Sequence, residues 1–159
     1  MQVRTLSIDE WHKLALEGTE LPMRIPINGV SMYPLIRRNR DPVTIMPAKD
    51  TIAVGDIVMF ADPSRKRYVL HRLWKFEGDR VLTWGDNCYC ADGWMPRDRV
   101  WGIAVKIERG RKEIIPDRTR GMRHARCMHA RLKIVRPVHA FLSRLRRGFK
   151  RIIDRKNEL

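Results

Sequence analysis

The sequence predicts a mainly β domain of antiparallel strands, opened by a short helix and followed by a basic helical tail. Three observations predict it. Between Met23 and Arg109 the apolar residues come in short runs bounded by Gly, Pro and Asp, the punctuation of strands and turns. No long helical pattern separates those runs, so the strands lack crossover helices and pair antiparallel. After Pro137 the apolar period changes to that of a helix, with Arg and Lys filling the other face.

The elements follow in order. Ser7-Ile8-Asp9-Glu10 is a capping box, with Ser7 at the N-cap and Glu10 three residues on. A helix is expected from there to about Glu17, ended by Gly18. Trp11, Leu14 and Ala15 share one of its faces and should pack on the domain. Met23–Asn28, Pro42–Met46, Ile57–Phe60, Tyr68–Phe76, Arg80–Thr83 and Val100–Ile107 read as strands. Arg111–Arg126, with Pro116 and Gly121, reads as a polar connector. Val138, Phe141, Leu142, Leu145, Phe149, Ile152 and Ile153 then recur at helical spacing among arginines and lysines, interrupted by Gly148. The organisation expected is a helical segment over 1–22, a β domain over 23–116 and a basic amphipathic helical tail over 117–159.

Hydrophobic residues make up 43% of the 159-residue chain, enough for one packed domain rather than a disordered chain. The net charge of +15 is concentrated at the back: residues 117–159 hold 14 Lys and Arg against three Asp and Glu. An anionic partner suits such a tail, and residues 137–153 could lie on an anionic membrane surface or dock on the domain. Nucleic acid fits less well, because no aromatic platform or DNA-reading pattern accompanies the charge. Three cysteines make no disulfide framework and read as free thiols. Cys88, Cys90, Cys127, His124 and His129 could be gathered into a metal site, but their spacing lacks a zinc pattern. No run approaches about 18 apolar residues, and the N-terminus lacks the apolar region of a signal peptide. The expected location is therefore cytoplasmic or peripheral to a membrane.

Chemistry concentrates in four blocks: Gly29-Val30-Ser31-Met32-Tyr33-Pro34, Gly55-Asp56-Ile57-Val58, His71-Arg72, and Gly85-Asp86-Asn87 followed by Asp92. A serine hydroxyl becomes a useful nucleophile when a base takes its proton and a third group orients the base, and Ser, His, Asp is one workable order for such a triad. Ser31 is the candidate nucleophile, between Gly29, which permits unusual backbone, and Pro34, which stiffens the turn. His71 is the candidate general base, with an ordinary pKa near ~6.5 suited to neutral pH. Asp92 and Asp86 both follow the strand ending at Thr83, and either could orient it. Asp86 also suits a loop-shaping role, its carboxylate accepting backbone N–H groups. Met32 and Tyr33 either line a substrate groove or pack in the core.

These blocks, in this order, resemble the signal peptidase I family over roughly residues 24 to 108, and are similar to its relatives, the self-cleaving repressor proteases. His71-Arg72 resembles the members that use histidine as base, as archaeal, endoplasmic-reticulum and sporulation-type enzymes do. The resemblance implies a fold of coiled antiparallel sheets and a serine peptidase mechanism without metal or cofactor. It matches the orienting acid to Asp92, and it implies small residues such as Ala before the cut in a peptide or precursor-protein substrate. It also implies an oxyanion donor at the Ser31 N–H. Many members add a serine hydroxyl at the position held here by Gly29, which leaves Asn28 as a candidate second donor. A membrane anchor before the serine, usual in the family, is not seen.

Three functions follow as expectations. The first is a serine endopeptidase using Ser31, His71 and Asp92 on peptides or leader sequences. The second, a repressor-type protease, calls for a DNA-binding domain and an Ala-Gly or Cys-Gly cleavage site; fewer than thirty residues precede the serine block and neither dipeptide occurs. The third is a catalytically degenerate binding module whose tail holds a membrane, nucleic acid or acidic partner.

Overall fold

Ser7 caps the first helix as its sequence dictates. Its side chain accepts from the Glu10 N–H at 3.2 Å, while the Ser7 N–H donates to the Glu10 carboxylate at 2.9 Å. The resulting helix α1 (Ile8–Leu16) stops at a Glu17 C-cap before Gly18, which takes a positive φ of 88°. Of the face expected to pack, Trp11 is fully buried and Leu14 and Ala15 are half-buried. The Trp11 Nε1–H donates to the Leu21 carbonyl at 2.7 Å, so the ring is sunk without leaving its polar atom unpaired.

The computed structural model describes residues 6–48, 52–62 and 67–135. Eight strands follow α1: β1 (Met23–Ile25), β2 (Val43–Pro47), β3 (Ile57–Asp62), β4 (Arg67–Glu77), β5 (Arg80–Trp84), β6 (Trp94–Pro96), β7 (Val100–Arg109) and β8 (Lys112–Ile114). All pair antiparallel in one sheet ordered β1-β2-β7-β3-β4-β5-β6, with β8 folded back on the end of β7. The sheet curls into a half-barrel, so the fold is mainly β as expected. All six anticipated strands form. The two unanticipated ones, β6 and β8, are three residues each, too short to carry a period-two signal.

Strand β3 shows why the core has two halves. Successive side chains point to opposite faces, and Ile57 and Met59 enter one cluster while Val58 and Phe60 enter the other. The first cluster also takes Trp11, Met32, Ile36, Ile45 and Ile107, and so reaches the serine block. Gly102 lies where β7 passes β2, and a Cβ there would stand 2.9 Å from the Met46 carbonyl and 3.0 Å from the Trp11 ring. No side chain fits at that crossing.

The stretch 111–126 is not the connector expected. A helix, α2, occupies 118–135 as far as the chain is described. Asp117 caps it, its side chain accepting from the Arg120 N–H at 2.6 Å. Met122, Ala125 and His129 form its buried face, and Arg120, Arg123, Arg126, Arg131 and Lys133 its exposed one. The amphipathic stretch expected over 137–153 lies outside the described residues. Among the described residues, no helix is long and apolar enough to cross a membrane.

Candidate active site

The site begins with adjacent residues on β4. His71 and Arg72 point to opposite faces of the strand, and each collects one of the two candidate acids. On one side His71 Nδ1 lies 2.6 Å from Asp92 Oδ2. That oxygen also accepts from the Thr83 hydroxyl at 2.8 Å, and the Asp92 N–H donates to the Thr83 carbonyl at 3.0 Å. Asp92 thus arrives with its carboxylate already oriented. On the other side Arg72 binds Asp86 through two bonds of 2.8 and 2.7 Å, with both side chains fully buried. A third bond runs from Arg72 Nη1 to the Gly55 carbonyl at 2.8 Å. Of the two acids left open by the sequence, Asp92 is the one at the histidine.

The serine block is brought to this pair by the Gly-Asp-Asn loop. The Asn87 N–H donates to the Ser31 carbonyl at 2.6 Å, and Asn87 Nδ2 donates to the Val30 carbonyl at 3.1 Å. Behind the serine, Met32 is buried in the core and also lines the groove. Tyr33 is half-exposed and is not among the residues that line the groove. Arg109 ties the far end of the turn to β7, donating to the Leu35 carbonyl at 2.7 Å and to Asp41 at 2.9 Å. Burial pushes the Asp41 carboxyl up, but hydrogen bonds from Arg37 and Arg109 overcome this and hold it at about 2.

Gly85 is where the parts come closest. A Cβ on Gly85 would lie 2.9 Å from both His71 Nε2 and the Ser31 carbonyl, and 2.7 Å from Cys88 Sγ. The side chain of any other residue would push the loop off the histidine. In this structure His71 Nε2 faces Cys88 Sγ at 4.0 Å, and among the described residues no hydrogen bond joins it to the Ser31 hydroxyl. Unliganded catalytic contacts are commonly looser than those formed with substrate.

Burial disfavours the charged form of His71, but the hydrogen bonds and charges of Asp92 and Cys88 outweigh it and raise its pKa to about 9. The Phe60 ring stands edge-on to the imidazole at 6.1 Å. A groove of about 1230 Å³ opens over Ser31, His71 and Asp92. Asn28 and Gly29 line it beside β1, and Trp94 and Met95 line it from β6, so the two outermost strands of the sheet's main path both face it.

Two contributors were missed by sequence reasoning. One is the early start of α2, whose residues from 118 read as connector in the sequence but brace the site from behind. Arg118 pairs with Asp56 at 2.6 Å, and Gly121 packs directly on the Arg72 guanidinium. His129 stacks on Trp84 with ring centres 3.8 Å apart, and its Nε2 meets the Gly85 carbonyl at 2.9 Å. Only a protonated nitrogen can bond a carbonyl, so this contact sets the tautomer. Burial, the largest influence, lowers the pKa of His129. The signal that could have found α2 was Asp117 before Met122, Ala125 and His129 at helical spacing. The other missed contributor is Cys88. The five Cys and His residues considered as metal ligands do not converge: among the described residues, no three His, Cys, Asp or Glu side chains form a metal-holding group. Comparison with protein-family models, with curated proteins and with solved structures finds no match to this chain.

Proposed function

We propose that this chain is a serine endopeptidase of the signal-peptidase-like type, acting on peptides or precursor proteins. The observation that carries the reading is the part-buried Asp92–His71 bond, formed with the Ser31 turn held by the Asn87 loop that follows Gly85 at the imidazole. His71 Nε2 takes the Ser31 Oγ proton, Oγ adds to the scissile carbonyl, and the tetrahedral oxyanion forms facing the Ser31 N–H. Collapse expels the amine, which takes the proton from His71, and water then releases the acyl group by the same steps. Substrate lies extended in the groove, where an unpaired edge such as that of β1 offers main-chain hydrogen bonds. By the resemblance, small side chains precede the cut. The basic tail, including 137–153, would carry the contact with an anionic membrane.

Two observations favour a second reading, a degenerate binding module. The Ser31 hydroxyl is not bonded to His71, and Gly29 supplies no hydroxyl for the oxyanion. Cleavage of a pooled peptide library, read by mass spectrometry, separates the two. Wild type is expected to cut, and both Ser31→Ala and His71→Ala to lose every cut. A wild type that cuts nothing, with or without anionic vesicles, leaves the binding module.

The gap at Gly29 makes a prediction of its own. A Cβ at this position would sit 3.9 Å from Ser31 Oγ with nothing closer, so a serine fits. Gly29→Ser is expected to raise kcat by about 10- to 100-fold by adding an oxyanion donor, measured on the best library peptide. An unchanged kcat would mean that another group, with Asn28 the nearest candidate, already donates.

A further inference from the structure

The acylation steps make no use of Cys88, yet its thiol stands where Ser31 needs the histidine. Sγ lies 4.0 Å from His71 Nε2, the nitrogen that must accept the serine proton. The placement is built by several contacts. The Cys88 N–H donates to the Gly85 carbonyl at 2.9 Å, and the Cys88 carbonyl accepts from Trp84 Nε1 at 3.0 Å. His129 holds the same Gly85 carbonyl from the other side. The missing Cβ of Gly85 makes room for thiol and imidazole to approach. Cys88 and Cys90 both line the groove with Ser31, but Cys88 is half-buried whereas Cys90 and Cys127 are exposed.

We propose that Cys88 is a modification site, a thiol activated by the His71–Asp92 pair whose reaction with a small electrophile or a hydroperoxide shuts the active centre. The shut-off rests on the peptidase reading; the reactivity of the thiol rests on the geometry alone. The imidazole can accept the Sγ proton as it would accept that of Ser31, and a thiolate is the nucleophile in such reactions. With a hydroperoxide, sulfur attacks the distal oxygen, an S–O bond forms and the O–O bond breaks. The departing alkoxide or hydroxide takes the proton from His71. Sulfur is oxidised to a sulfenic acid and the peroxide is reduced. The added oxygen then occupies the space beside Nε2 and keeps the Ser31 hydroxyl from it.

The test treats the folded full-length chain with iodoacetamide at neutral pH and follows each cysteine by peptide mass spectrometry. Cys88 is expected to react at least ~10-fold faster than the two more exposed thiols, since reactivity follows activation rather than exposure alone. His71→Gln should bring it down to their rate, and Asp92→Asn should slow it. Peptide cleavage by wild type should fall in step with labelling of Cys88, while Cys88→Ala should keep a treated-to-untreated ratio near one. Labelling of Cys88 no faster than that of Cys90 and Cys127 overturns the proposal in wild type alone, whatever the variants do. Fast, His71-dependent labelling in a protein that cuts no peptide supports the thiol assignment and removes the peptidase reading. Cleavage that continues after Cys88 is fully labelled overturns the shut-off.

Discussion

Asp92→Asn is expected to lower kcat/KM for peptide cleavage by about 10⁴-fold, the order of loss when the acid of a serine–histidine–acid triad is made an amide. The carboxylate accepts from both His71 Nδ1 and the Thr83 hydroxyl through one oxygen. An amide of the same shape can present its NH₂ group to the imidazole, which then keeps its proton on Nε2, where the base must be free. The pH profile adds a second readout. The working base is the neutral imidazole, and the pKa of His71 is raised to about 9. Activity of wild type should therefore rise with pH from neutrality through about 9. Loss of the Asp92 charge removes a raising influence, so the residual activity of Asp92→Asn should reach its plateau at lower pH. Stability runs the opposite way: the charged His71–Asp92 pair is fully present below ~6.5 and fades as pH rises through about 9. A fall of less than ~10-fold, with an unmoved profile, would show that Asp92 does not orient the base.

Why the sequence left two acids open while the structure separates them is a matter of strand geometry. Asp86 and Asp92 both lie just past Thr83, within a single loop, and no local pattern distinguishes them. The deciding residue is Arg72, whose side chain leaves β4 on the face opposite His71 and takes Asp86 with it. Six of the eight strands were legible because they alternate or run apolar between Gly, Pro and Asp, and α1 because its capping box is local. A helical tail was expected, but its start at 118 was not, because the first turns of α2 bury Met122, Ala125 and His129, which carry a weak apolar signal in an arginine-rich stretch. Gly121 in particular reads as a breaker, but it is needed so that the helix can touch the Arg72 guanidinium. Cys88 was unreadable for a related reason. Its environment is made by Gly85, His71 and His129, which meet only in the folded chain.

Arg72→Ala is expected to lower unfolding free energy by about 3–5 kcal/mol, the usual cost of removing one partner of a buried ion pair. Against a typical total of about 5–15 kcal/mol, that is a large share. The cost arises mainly from what is left behind. Asp86, with no exposure, would lose its two guanidinium bonds, and the Gly55 carbonyl would lose its donor. The gap would also lie under Gly121, so α2 would lose its seat on the sheet. Arg72→Lys should restore only part of the loss, because a single ammonium cannot span both carboxylate oxygens and the carbonyl together. Replacing the pair, Arg72→Met with Asp86→Leu, should recover most of it, since the desolvated charges disappear together. Urea denaturation of the four proteins measures all of this. If Arg72→Ala costs under ~1 kcal/mol, water reaches Asp86 in the variant and the pair is not what holds the loop. If the double variant is as unstable as Arg72→Ala, the Arg72 bond to Gly55, which the double variant also lacks, is what joins β4, the Gly55-Asp56 corner and the Gly85-Asp86-Asn87 loop.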